Sequence, residues 1–135
     1  MYHYEKEDIT GTAARSLGVD EHMVIKTLVM RDDTGKPLVV LMHGDRQVST
    51  RKLAKAIGAK TVTPSSPRDA QKYTGYMVGG ISPFGTRKEL RIYVEKSIFD
   101  LSRLYVNGGR RGLLVEMTPN DLVKCLNATA VNVAT

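Results

Sequence analysis

Ile25-Lys26-Thr27-Leu28-Val29-Met30, then Asp32-Asp33-Thr34-Gly35, then Leu38-Val39-Val40-Leu41-Met42-His43 follow one another along the chain. Two runs rich in β-branched and apolar residues flank a turn of Asp, Thr and Gly, which reads as a β-hairpin. A hairpin makes its strands antiparallel, so this region does not belong to a doubly wound parallel sheet. Within the first run, Ile25, Thr27 and Val29 share one face, and Lys26, Leu28 and Met30 share the other. A lysine therefore opens an otherwise apolar face. Either Lys26 sits at the strand mouth and snorkels to water, or it lines a pocket as a partly desolvated ammonium. In a pocket, burial lowers its pKa and a bound anion raises it again.

Outward from this hairpin, helical and strand-like segments alternate. A strand is expected over 2–5 and a helix over 10–17, with Ala13, Ala14 and Leu17 inward and Gly18 as its stop. Asp20 can cap a single turn before the hairpin. An amphipathic helix over 50–57 carries Leu53, Ala54 and Ile57, followed by a short strand over 61–63. Ser66-Pro67 opens another helix ending near Gly75, with proline in its first turn. Strands follow over 90–94, 104–106 and 113–117, the last two joined around Asn107-Gly108-Gly109, with a helical turn over 97–101 between them. Thr118-Pro119 starts a last helix with Leu122, Val123 and Leu126, and 130–133 reads as a final strand. Interspersed elements with several hairpins indicate an α+β domain.

The length of 135 residues suits one domain, spanning 1–135, with a core that needs no disulfide or metal. The longest apolar run, 38–42, is too short to cross a bilayer, and the first residues lack the apolar region of a signal peptide. Cys125 stands alone, which fits a reducing cytoplasm. Among Leu122, Val123 and Leu126 it reads as a small buried hydrophobe. His3, His22 and His43 show no metal-ligand spacing, and no cofactor is implied. Lys and Arg number 20 against 14 Asp and Glu, a net charge of +6. That excess fits either ordinary solubility or an anionic partner such as nucleic acid. The cations cluster as Arg46, Arg51, Lys52 and Lys55, as Arg87 and Lys88, and as Arg110 and Arg111.

Gly75-Tyr76-Met77-Val78-Gly79-Gly80-Ile81-Ser82-Pro83-Phe84-Gly85 holds four glycines and a proline among mostly apolar residues. It reads either as a tight turn packed into the core or as a loop whose main-chain N–H groups meet a carbonyl or phosphate. It is not a nucleophile elbow, because the second glycine comes one place late and Pro83 has no N–H.

Together with Val24-Ile25-Lys26-Thr27-Leu28, 52–60 and Tyr105-Val106-Asn107-Gly108-Gly109-Arg110-Arg111-Gly112-Leu113, this loop resembles the YbaK/EbsC family. These are free-standing aminoacyl-tRNA deacylases related to the editing domain of some prolyl-tRNA synthetases. The resemblance runs from about Tyr4 to Val133. It implies a mixed six- to seven-stranded, partly closed β-barrel surrounded by helices. It also implies hydrolysis of the ester that joins a wrong amino acid to a tRNA 3′-terminal adenosine. The family's essential lysine falls on Lys26 and its Gly-x-x-x-Pro loop on Gly79 to Pro83.

The resemblance thus names Lys26, Gly79 and Gly80 as catalytic. It names Tyr4, Thr27, Ile81, Ser82, Pro83, Gly108 and Gly109 as substrate-binding. A small amino acid such as Cys or Ala on proline tRNA is the substrate it suggests, acted on in trans, with prolyl-tRNA synthetase as a further partner and no membrane. Two features depart from the family. Leu114 stands where many members carry an aspartate, and the chain opens at what resembles the family's first strand, without the usual preceding helix. Both leave room for an alternative, a non-catalytic module that binds tRNA ends or nucleotides on the same fold.

Overall fold

The computed structural model describes residues 9–135. The expected strand over 2–5, with Tyr4 and His3, lies outside the described residues. Strands β1 (Val24–Asp32) and β2 (Pro37–His43) form the expected hairpin, with Ile25 opposite His43 and Arg31 opposite Pro37. The Asp32 side chain builds its turn. It accepts from the Thr34 hydroxyl at 2.6 Å and from the N–H groups of Thr34 and Lys36, each at 3.0 Å, while Arg91 donates to it at 3.2 Å. These donors, the Thr34 hydroxyl first, hold its carboxyl at about 2, below the ordinary 3.8. A depressed pKa contributes stability that is complete above 3.8 and is lost as pH falls through about 2. Urea denaturation across that window is expected to show an acid loss in the wild type that Asp32→Asn lacks. Parallel acid profiles for the two proteins would refute this role of Asp32.

The seven strands of the described residues join one mixed sheet in the order β6-β5-β1-β2-β4-β7, with β3 added to β1. The remaining strands are β3 (Val62–Pro64), β4 (Arg91–Glu95), β5 (Leu104–Asn107), β6 (Leu114–Met117) and β7 (Thr129–Val131). The end strands β6 and β7 form no ladder with each other, so the sheet is only weakly closed. Every residue of β2 is buried, as a central strand covered on both faces requires.

On one face, Ile25, Val29, Val39 and Leu41 pack with Ala70 and Leu122, from α3 (Pro67–Thr74) and α4 (Pro119–Leu126). On the other, Met30, Leu38, Val40 and Met42 pack against Leu53 and Ala54 of α2 (Thr50–Ile57). Ser49, Ser66 and Thr118 cap these helices through side-chain oxygens that accept from Lys52, Asp69 and Asp121 N–H. Helix α1 (Ile9–Leu17) buries Ala14, but Leu17, expected inward, is 46% exposed. No helix among the described residues is long and apolar enough to cross a membrane.

The sheet has one local defect that places the site. Strand β5 pairs with β1 only at Val24 and Ile25, and β3 pairs with it only at Met30, Arg31 and Asp32. Both occupy the edge of β1 away from β2. Strand β3 stops at Pro64, which has no N–H to extend a ladder. Among the described residues, 26–29 are therefore left without a ladder partner on that edge, apart from Ser65 N–H donating to Val29 O at 3.0 Å.

Candidate active site

A cavity of about 660 Å³ opens at this gap, and its wall includes Lys26, Thr27, Ser65, Val78, Gly79, Ile81, Asn107 and Leu114. Helix α1 closes one side with Thr10, Ala13 and Leu17. The sequence thus placed Lys26, Thr27, Gly79 and Ile81 in different motifs, and the fold brings them to one space.

Lys26 is half-buried. No carboxylate lies within salt-bridge reach of its ammonium among the described residues. Burial lowers its pKa below the ordinary value, and the more distant negative charges of Glu21 and Asp45 oppose that shift. The result is an ammonium with a deficit of solvation and no close counterion among the described residues, which favours an anion in the cavity. Thr27 adds a second unmet demand. Among the described residues its hydroxyl is buried without a hydrogen-bond partner, as is that of Ser65. Both residues line the cavity.

The glycine loop begins at Gly75, the left-handed C-cap of α3, with φ of 81°. Gly79 also has a positive φ, 91°, where a side chain is strained. Its N–H and that of Ile81 have no hydrogen-bond partner among the described residues. Gly80 differs. Its N–H already donates to Met77 O at 2.8 Å, and the residue is buried. A Cβ there would come within 2.6 Å of Arg110 Cα. Gly80 is therefore where the loop backbone packs on the turn after β5, and its amide is not a free donor.

The same turn explains Gly108 and Gly109. A Cβ on Gly109 would meet the Tyr76 ring at 2.8 Å, and one on Gly108 would press Leu113 and Val115 at 3.1 Å. Neither glycine lines the cavity; Ser82 and Pro83 do not either, and both are buried. Ser82 Oγ accepts from Phe84 N–H at 3.2 Å and so shapes the loop. The Tyr76 hydroxyl donates to Phe84 O and ties the loop across its width.

Asn107 was read in the sequence only as a turn residue, yet it joins the two glycine segments. Its amide nitrogen donates to Gly79 O at 3.3 Å and to Arg110 O at 3.0 Å, while its Oδ1 accepts from Gly109 N–H at 2.6 Å. Arg111 adds a bond from Nε to Val78 O at 3.1 Å. An Asn ahead of Gly-Gly signals a side chain bonding to nearby backbone, but its reach to Gly79 depends on tertiary packing.

His22, His43 and Asp45 come together despite their unpromising spacing in sequence. The two imidazoles stack at 3.7 Å, tilted by only 5°. Ring nitrogens bind a metal in the plane of the ring, so parallel stacked rings do not converge on one ion. The His43 nitrogens are also engaged, with Nδ1 2.7 Å from His22 O and Nε2 2.8 Å from Ser97 Oγ, and His22 Nδ1 lies 2.8 Å from Asp45. Ser97 in turn donates to the buried Glu95, whose other oxygen accepts from Val133 N–H at 2.8 Å and Ala134 N–H at 3.2 Å. Burial opposes ionisation of Glu95, yet the Ser97, Val133 and Ala134 donors hold its carboxyl below the ordinary value. This network fastens the C-terminal segment to the sheet. Cys125, expected to be buried, is exposed; α4 turns Leu122 inward and leaves Cys125 beside that stripe.

Comparison with known proteins points the same way. The chain is 32% identical over 124 residues to the Enterococcus faecalis protein named "Putative Cys-tRNA(Pro)/Cys-tRNA(Cys) deacylase EbsC", covering 92% of this chain and 76% of that one. It is 30% identical over 93 residues to a proline--tRNA ligase of Levilactobacillus brevis, a match to 69% of this chain and 16% of the ligase. Its fold matches that of a solved structure described as a "putative trans-editing enzyme for prolyl tRNA synthetase". The TM-score is 0.86 at 20% identity, over 100% of this chain and 85% of that one. The family model for the aminoacyl-tRNA editing domain matches residues 5–125. The chain belongs to the aminoacyl-tRNA editing domain family, the one its lysine and glycine motifs resemble.

Proposed function

We propose that residues 1–135 act as one editing domain, an aminoacyl-tRNA deacylase working in trans in the cytoplasm. Its substrate is the ester between a wrong small amino acid, Cys or Ala first, and the 3′-terminal adenosine of proline tRNA. The observation that carries this reading is that Lys26 lines the same cavity as Gly79 and Ile81, whose N–H groups have no hydrogen-bond partner among the described residues.

An aminoacyl ester is already activated, so hydrolysis asks mainly for a placed water and for donors aimed at the developing charge. Water adds to the ester carbonyl carbon, and the C=O electron pair moves onto oxygen. Gly79 and Ile81 N–H face that oxyanion. Collapse of the intermediate breaks the C–O bond to the ribose, whose oxygen takes up a proton. The products are a free amino acid and an uncharged tRNA. Lys26 holds a phosphate or ribose oxygen of the terminal adenosine, and the substrate's own neighbouring hydroxyl assists proton transfer. The Thr27 hydroxyl gains a partner when substrate enters. Gly80, Ser82, Pro83, Gly108 and Gly109 act by shaping the wall, and the family resemblance adds Tyr4 as a substrate-binding residue. Leu114 gives that wall an apolar patch where a carboxylate is frequent in the family, which suits a small uncharged side chain. Prolyl-tRNA synthetase is the partner this reading names for selection of the tRNA.

The test is a deacylation panel of proline tRNA carrying Cys, Ala, Ser or the correct Pro. Hydrolysis of a wrong ester with Pro spared is the expected result. Tight binding of tRNA with no hydrolysis of any charged species would favour the binding-module alternative that Leu114 motivates.

A further inference from the structure

A second concavity lies along another face of helix α3. It is a groove of about 530 Å³ lined by Arg68, Gln71, Lys72, Gly75 and Arg87. Helix α3 serves both spaces, since Pro67 and Ala70 line the cavity while Arg68, Gln71 and Lys72 line the groove. At 3.6 residues per turn these two faces stand roughly a third of a turn apart. The glycine loop spans them as well, with Gly75 in the groove and Gly79 in the cavity. Four Cα steps separate these residues, so they are at most about 15 Å apart.

Three cations meet here, and no carboxylate lies within salt-bridge reach of any of them among the described residues. Arg68 and Lys72 lie four apart on one helix, a spacing at which like charges repel. Several other basic residues are already committed. Arg46 donates to Thr135 O at 2.8 Å and Lys52 to Ala134 O at 3.3 Å, Arg111 bonds to Val78 O, and Lys88 sits over the Tyr73 ring. Guanidinium groups of Arg68 and Arg87 suit bidentate phosphate contacts, with Lys72 as a point charge beside them.

We infer that this groove binds consecutive phosphates of the RNA acceptor strand, a few nucleotides from the 3′ end whose ester occupies the cavity. The inference rests on the tRNA-substrate reading above, and it adds where the backbone of that substrate runs. These contacts position the RNA without reading its sequence. They also set an order along the molecule, with backbone in the groove, then the glycine loop, then the ester.

The experiment compares wild type with the triple variant Arg68→Gln, Lys72→Gln, Arg87→Gln. A second triple, Lys60→Gln, Lys96→Gln, Lys124→Gln, removes the same charge elsewhere. Binding of uncharged tRNA is read by fluorescence anisotropy from 50 to 200 mM salt, and hydrolysis is read on a short substrate, a 3′-aminoacyl adenosine. The groove variant is expected to bind tRNA on the order of ten- to hundred-fold more weakly at low salt. The slope of log affinity against log salt should fall by about two to three. Hydrolysis of the short ester should match wild type, which also establishes that the variant is folded. Affinity and slope equal to wild type would overturn the inference, as would an equal loss in the second triple. If wild type cleaves no ester but the groove variant alone loses tRNA binding, the hydrolase reading fails and the groove assignment stands.

Discussion

Replacing Lys26 with methionine is expected to reduce deacylation by about a hundred- to a thousand-fold, the scale of losing one main electrostatic contact to the transition state. The fold should remain as stable as wild type or gain up to about 1 kcal/mol. The two effects share a cause. Burial disfavours the Lys26 ammonium in the free protein, and methionine fills similar space without that penalty. The sign follows from linkage. A lysine whose pKa is lowered by folding binds fewer protons folded than unfolded over the window between its folded value and the ordinary 10.5. Wild-type stability should therefore rise with pH through that window, and Lys26→Met should lack this component. Denaturant titration from pH 7 to 10.5, with single-turnover deacylation at pH 7, reads both. A variant that keeps kcat/KM within threefold of wild type on every substrate that wild type cleaves would remove Lys26 from the site.

Gly80→Ala is expected to disable the enzyme without touching substrate. The added Cβ would lie 2.6 Å from Arg110 Cα and 2.7 Å from Arg111 N, both backbone. Neither atom belongs to a side chain that can swing aside. The loop must move off the turn after β5, stretching the Asn107 bond to Gly79 O and the Arg111 bond to Val78 O. Overpacking of this kind costs about 1–3 kcal/mol. A 1 Å displacement of the Gly79 and Ile81 donors costs on the order of a hundred-fold in rate. Thermal unfolding and kcat/KM together check this. Wild-type values for both would mean that the loop and the turn are not tightly packed.

The hairpin of β1 and β2 was legible because alternation and an Asp-rich turn are local signals. The capped helices were legible for the same reason, since Ser66-Pro67 and Thr118-Pro119 declare a helix start in two residues. Lys26 stood out because one charge interrupts one face of one strand. The division of labour among the glycines was not legible. Gly79 and Gly80 are neighbours with the same composition around them, and only the approach of Arg110 separates a free donor from a packing position. Asn107 was hidden because its contact with Gly79 spans 28 residues. The groove was hidden too. Arg68 and Lys72 lie 15 or more positions before Arg87 in sequence, and their convergence depends on how α3 hands the chain to the loop. Cys125 shows the converse error, since apolar neighbours in sequence do not place a helical residue on the inward face.

The central claim is that Lys26 and the main-chain donors of Gly79 and Ile81 hold one ligand between them. It is tested most directly by NMR titration of the labelled protein with a non-hydrolysable 3′-aminoacylamino-adenosine. The account predicts that the amide signals of Thr27, Gly79 and Ile81 and the side-chain signal of Lys26 move together with one dissociation constant. Saturable shifts that leave Lys26 and the loop unmoved would contradict it.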